Sequence, residues 1–70
     1  MDIFICLDGD GFIGGASRSL EGAKSLAGRE SGATIEWHDS PLGGATATID
    51  RGSGWGPQHW ATIDRRTLVD

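Results

Sequence analysis

Seventy residues, with six Lys plus Arg against ten Asp plus Glu, make a chain of 7.4 kDa and formal charge -4, which is the size of one small domain, residues 1–70. Such a domain removes only about 60% of its unfolded surface from water, so little is left for a deep substrate cavity and a self-sufficient enzyme is disfavoured. The acidic balance disfavours nucleic acid and anionic membranes as partners, because polyanion affinity grows with the phosphates that Lys and Arg neutralise.

Apolar residues at 37% and charged residues at 23% fit a folded chain better than a disordered one. Cys6 is the single cysteine, so an internal disulfide and a thiolate zinc cage are both excluded, and packing or a second copy has to support the fold. No stretch approaches the roughly 20 apolar residues of a membrane span, and the first residues lack the basic flank and apolar run of a signal peptide. The expectation is a cytoplasmic protein with no membrane partner and no cofactor.

Asp2 to Leu7 reads as a strand with Ile3, Ile5 and Leu7 on one face and Phe4 and Cys6 on the other, which suits a central position. Asp8-Gly9-Asp10-Gly11 is turn chemistry and Phe12-Ile13 resumes the apolar pattern, giving a β-hairpin whose second strand is weakened or bulged at Gly14 and Gly15. Ser17 or Ser19 caps a helix over about residues 19 to 29, with Leu20, Ala23, Leu26 and Ala27 at helical spacing and Gly28 or Gly32 ending it. Gly22 weakens that helix, so it must gain its stability by packing on a sheet.

Thr34 to His38 alternates, with Ile35 and Trp37 on one face, and forms a third strand. After the turn residues 39 to 44, Ala45 to Asp50 alternates again as a fourth. Residues 51 to 57 form a loop, and Gln58 to Ile63 is a fifth strand, with Leu68 and Val69 placed to extend the edge beyond Arg65-Arg66. The fold class is α+β: ββαβββ, a mostly antiparallel sheet with one helix on one face. Ala47-Thr48-Ile49-Asp50-Arg51 recurs fourteen residues later as Ala61-Thr62-Ile63-Asp64-Arg65. It reads as two strands solving the same alternation problem, or as two Asp-Arg pairs making a matched surface patch.

Ile3 to Gly11 looks like the first motif of the haloacid dehalogenase-type phosphatases, a hydrophobic strand ending in Asp-x-Asp-Gly. That resemblance implies Asp8 as nucleophile and Asp10 as general acid and base. Phe12 stands where that family has Thr or Val, and the chain has no room for the family's large core or later motifs. An EF-hand reading of Asp8 and Asp10 fails at Phe12, Ile13 and Ser19, which occupy its fifth, sixth and twelfth positions. His38, Asp39 and His59 have no cage-like spacing, so no metal site is expected. Cys6 and His38 would make a thiolate and base only if they met, and a Cys inside an apolar strand is ordinarily inert core.

Trp37 and Trp60 belong to alternating strands and are explained as core. Trp55 lies between Gly54 and Gly56 in a loop. A large aromatic there is either folded back as a lid on the core or exposed as an anchor for a partner. With Arg51, Trp60 and Arg65 it makes the candidate partner-binding set. The alternative is a nucleic-acid module in which Arg51, Arg65 and Arg66 contact phosphate while Trp55 and Trp60 stack on bases. Asp50, Asp64 and Asp70 sit beside those cations and blunt the electrostatic footprint it needs.

The opening Asp8-Gly9, Phe12-Ile13-Gly14 and Ser19-Leu20-Glu21-Gly22-Ala23-Lys24 resembles short accessory proteins of bacteriophages, in which a small hairpin precedes a helix beginning Ser-Leu-Glu. The likeness carries no catalytic motif. It implies a non-enzymatic module that binds a protein, as a modulator or inhibitor of a host protein or defence system. Self-association through an edge strand is the further expectation, since an unpaired edge offers hydrogen bonds to a second chain.

Overall fold

A computed structural model describes residues 1–52 and 54–69. The elements are β1 (Asp2–Asp8), β2 (Ile13–Ser17), α1 (Leu20–Leu26), β3 (Thr34–Asp39), β4 (Ala45–Asp50) and β5 (Gln58–Thr67). One five-stranded sheet has the order β2-β1-β5-β4-β3, and every neighbouring pair is antiparallel. The expected α+β class and ββαβββ order hold.

The first hairpin is closed by a side chain. One Asp8 carboxylate oxygen accepts from the backbone N–H of Asp10 and of Phe12, each at 2.9 Å, while Gly11 takes φ 88°. This carboxylate replaces the backbone partners that a tight turn leaves short. The pairing then passes from Cys6 opposite Gly15 to Leu7 opposite Ile13. Gly14 is thus the extra residue of a bulge, where the glycine pair placed it.

The helix is shorter than its periodicity suggests. Ser19 is the N-cap, its hydroxyl accepting from the Gly22 N–H at 3.0 Å, and Gly28 at φ 73° turns the chain away after Ala27. Gly22 is required where it stands: a Cβ there would collide with the Ser17 hydroxyl and press on that of Ser19. A side chain longer than hydrogen at this third helical position would displace β2's last residue, so α1 forgoes the propensity gain of Ala or Glu.

β5 lies in the middle of the sheet, between β1 and β4, and continues through Arg65-Arg66 to Thr67. This corrects two expectations. β1 is interior but one place off centre, and the end of β5 is ladder rather than edge, with Leu68 and Val69 beyond it. The Leu68 N–H donates to the Met1 carbonyl at 2.8 Å. The reason is the pairing of β1 along almost its whole length, from Asp2 opposite Thr67 to Asp8 opposite Ala61, which keeps the polar tail of β5 extended.

Small side chains dominate the core. Cys6, Ala23, Ala45 and Ile63 form one buried cluster, with Phe4, Leu20, Ala27 and Trp37 packed partly against it. Ala47, Ile49 and Ala61 are buried along β4 and β5, and Ile49 is the largest fully buried side chain. The alanines let α1 approach the sheet closely, but they return little hydrophobic stabilisation per residue. α1 packs chiefly on β2, β1 and β5, and it reaches β3 through Lys24, which lies against Trp37 and Asp39.

Candidate binding surface

Antiparallel connectivity brings three segments to the same end of the sheet: the β1–β2 turn, the C-terminal end of α1, and the β4–β5 loop. Between them lies a recess of about 320 Å³, lined by Cys6, Asp8, Leu26, Arg51, His59 and Trp60 among others. A second bulge shapes it. Ala47 pairs with Ala61, but Thr48 pairs with His59, so Trp60 is the unpaired extra residue on β5. Its ring is half-buried, and its indole N–H is buried without a hydrogen-bond partner among the described residues.

Arg51 leaves the end of β4 and is held by three acceptors. Its Nε and Nη2 donate to the two Glu30 carboxylate oxygens and its Nη1 donates to the Gln58 side-chain oxygen at 3.1 Å. The guanidinium carbon lies 6.0 Å from the centre of the Trp60 ring, inside the range of cation–π attraction. The bond to Glu30, opposed by a smaller desolvation effect, holds Arg51 more firmly protonated than a free guanidinium. The bidentate fork ties the β4–β5 loop to the segment between α1 and β3, giving the mouth of the recess a fixed wall.

Trp55 is 81% exposed, flanked by Gly54 at φ 85° and Gly56 at φ 76°. Of the two readings open to it, it takes the exposed one and does not fold back on the core. Phe12 at 70% and Ile13 at 71% exposure stand at the same end, on the neighbouring hairpin, and Leu26 is exposed beside the recess. These three escaped the sequence reading, since Phe12 and Ile13 count as ordinary strand residues until the bulge at Gly14 turns them outward. The opposite end also exposes apolar side chains, those of Met1, Leu42, Leu68 and Val69, but none of its exposed large apolar residues among the described ones is aromatic.

The remaining member of the candidate set, Arg65, does not join this surface, and neither does Arg66 of the nucleic-acid alternative. Arg65 lies five residues beyond Trp60, about 16 Å along the strand. There it packs under Gly43 and approaches the Asp2 carboxylate at 4.0 Å. Arg66 donates to Asp64 at 2.9 Å. Each cation of the nucleic-acid alternative thus has a carboxylate close by, and Arg51 is parted from the other two by the length of the sheet. Asp70 lies outside the described residues.

Asp8 spends one carboxylate oxygen on the turn, and among the described residues no three of His, Cys, Asp and Glu converge as metal ligands. Cys6 is 2% exposed, and burial, reinforced by the Asp8 charge, pushes its thiol pKa up. His38 lies three strands away, roughly 14 Å, and on the other face of the sheet, so the two do not meet. His38 instead approaches Glu36 at 3.9 Å, and His59 shares a hydrogen bond with Thr62. No helix among the described residues is long and apolar enough to cross a membrane. Comparison of the chain with protein-family models, with curated proteins and with solved structures finds no match.

Proposed function

We propose that this chain is a small non-enzymatic protein-binding module of the cytoplasm, and that its contact surface is the end of the sheet carrying Trp55, Phe12 and the recess walled by Arg51 and Trp60. The observation that carries the reading is the 81% exposure of Trp55. Holding an indole in water forfeits the burial that a chain with so small a core most needs. A partner pocket that takes the ring restores it, which is how aromatic anchors become binding hot spots.

The surroundings describe the partner. Asp8 and Arg51 line the recess together, Arg51 is already engaged by Glu30, Asp10 lies on the adjoining β1–β2 turn, and the chain is acidic overall. A protein with an apolar pocket rimmed by Lys and Arg would complement both features. The likeness of the opening segment to bacteriophage accessory proteins supports a host protein as the target, with the module as its modulator or inhibitor.

Photo-crosslinking tests the placement. A photoreactive phenylalanine at position 55, compared with one at Val69, which is more exposed but lies at the other end, should trap a protein from host lysate from position 55 alone. Equal trapping from both positions would count against the assignment.

A further inference from the structure

We propose that β3 is a self-pairing edge: two copies join antiparallel through Thr34–Asp39 to make one ten-stranded sheet, with Trp37 facing Trp37 across a two-fold axis. The occupant is a second copy of this chain, and the proposal stands independently of the surface at Trp55.

The two edges of the sheet are not equivalent. β2 is short and carries Gly14, Gly15 and a register break, features that blunt an edge. β3 pairs with β4 from Thr34 opposite Asp50 to Asp39 opposite Ala45 with no break, and it contains neither proline nor lysine. α1 packs chiefly on β2, β1 and β5 and reaches β3 through Lys24 on one face of the sheet, against Trp37 and Asp39, while the outer backbone edge of β3 has no strand paired to it.

Hydrogen-bond alternation limits the registers. The Ser40 N–H donates to the Gly44 carbonyl across the β3–β4 turn. By alternation His38, Glu36 and Thr34 also point their backbone groups at β4, leaving those of Ile35, Trp37 and Asp39 directed outward. An incoming strand must bond to these. With a two-fold axis at Trp37, Trp37 bonds its own counterpart and each Ile35 bonds the opposite Asp39, so all three outward residues are used. Moving the axis to Glu36 pairs Ile35 with Trp37 but leaves Asp39 without a partner from either strand.

Charge makes the same choice. With the axis at Trp37, Glu36 of each copy lies directly opposite His38 of the other, as a non-hydrogen-bonded pair in which side chains come closest. With the axis at Glu36, two carboxylates face each other, which is destabilising. Within one chain the cross-strand neighbours of Glu36 and His38 are Thr48 and Thr46, so neither residue has a competing charge on β4. Their mutual approach at 3.9 Å is intramolecular and exposed. On the other face Lys24 lies 5.6 Å from the Trp37 ring centre and 3.7 Å from Asp39, which keeps the Asp39 carboxylate turned toward α1 and clear of the facing Ile35. Inversion of strand direction by the two-fold axis places the two Trp55 surfaces at opposite ends of the joined sheet.

Sedimentation velocity over a concentration series of the full chain tests this. The wild type should run as a reversible dimer. His38→Glu should raise its dissociation constant about tenfold, because a second carboxylate then lies directly opposite each Glu36. The double exchange Glu36→Lys with His38→Glu places Lys opposite Glu and should recover wild-type association, while Trp55→Ala should leave it unchanged. A monomer at every concentration overturns the proposal. So does a His38→Glu variant that dimerises like wild type, a double variant that fails to recover, or a dimer lost on Trp55→Ala. Circular dichroism of each variant shows that its fold persists.

Discussion

Ala47 lies directly opposite Ala61 across β4 and β5. These two alanines open the two copies of Ala-Thr-Ile-Asp-Arg, and because the strands are antiparallel the copies run away from each other. Arg51 therefore finishes at the end that carries Trp55, and Arg65 at the other. The repeat makes no matched patch. It records two neighbouring strands that each need a small residue at the same level of the core, where Ala47 is 0% and Ala61 2% exposed.

That tightness gives the first prediction. Ala47→Leu adds methylenes where no space receives them and should destabilise the fold by about 1–3 kcal/mol, read as a lower urea midpoint. Thr46→Leu, on the exposed neighbouring position, should shift the midpoint little.

Gly44 gives a sharper contrast. A Cβ there would run into the backbone carbonyl of Ile63 on the facing strand, which has no flexible end to move aside. Gly44→Ala should cost on the order of 2 kcal/mol or more by forcing β4 from β5. Gly52→Ala, at φ 71° with open space around it, should cost only about 1–2 kcal/mol, the ordinary penalty of left-handed backbone. Thermal melts that rank Gly52→Ala below Gly44→Ala in stability would contradict this packing.

Cys6 carries a pH dependence of definite sign. Its folded pKa is raised by burial and the Asp8 charge, so at alkaline pH the unfolded chain loses the thiol proton before the folded one does. This contribution to stability is complete below the ordinary thiol pKa and is lost as pH climbs toward the raised value. A disulfide reagent should modify the native protein slowly at neutral pH and rapidly in denaturant. Cys6→Ser should flatten the alkaline part of the stability profile.

Much of the fold was legible in the sequence, because alternation is a strong signal in short strands. Ile35 and Trp37, then Ala45, Ala47 and Ile49, fall on the buried or half-buried side as their spacing indicates. Gly28, one of the two glycines expected to end α1, does so by turning left-handed, and only the helix's length was overread. β5 runs on to Thr67 because β1 supplies hydrogen-bond partners throughout, a matter of long-range pairing that local pattern does not encode.

The site was half legible. Trp55 between two glycines announced itself, and Arg51 lay close by in sequence. Phe12 and Ile13 reach the same surface only through the bulge at Gly14, and Arg65 is excluded only by strand direction. Glu30, the partner that fixes Arg51, comes from a segment twenty-one residues earlier, a pairing with no signature in spacing.

The most direct measurement of the central claim is the affinity of wild type and of Trp55→Ala for a protein captured from the host, with a thermal melt of each. The melts should superimpose, and the substitution should weaken binding by on the order of 2 kcal/mol or more, about thirtyfold. Undiminished binding, or a variant that melts far below wild type because the indole was holding the fold together, would contradict it.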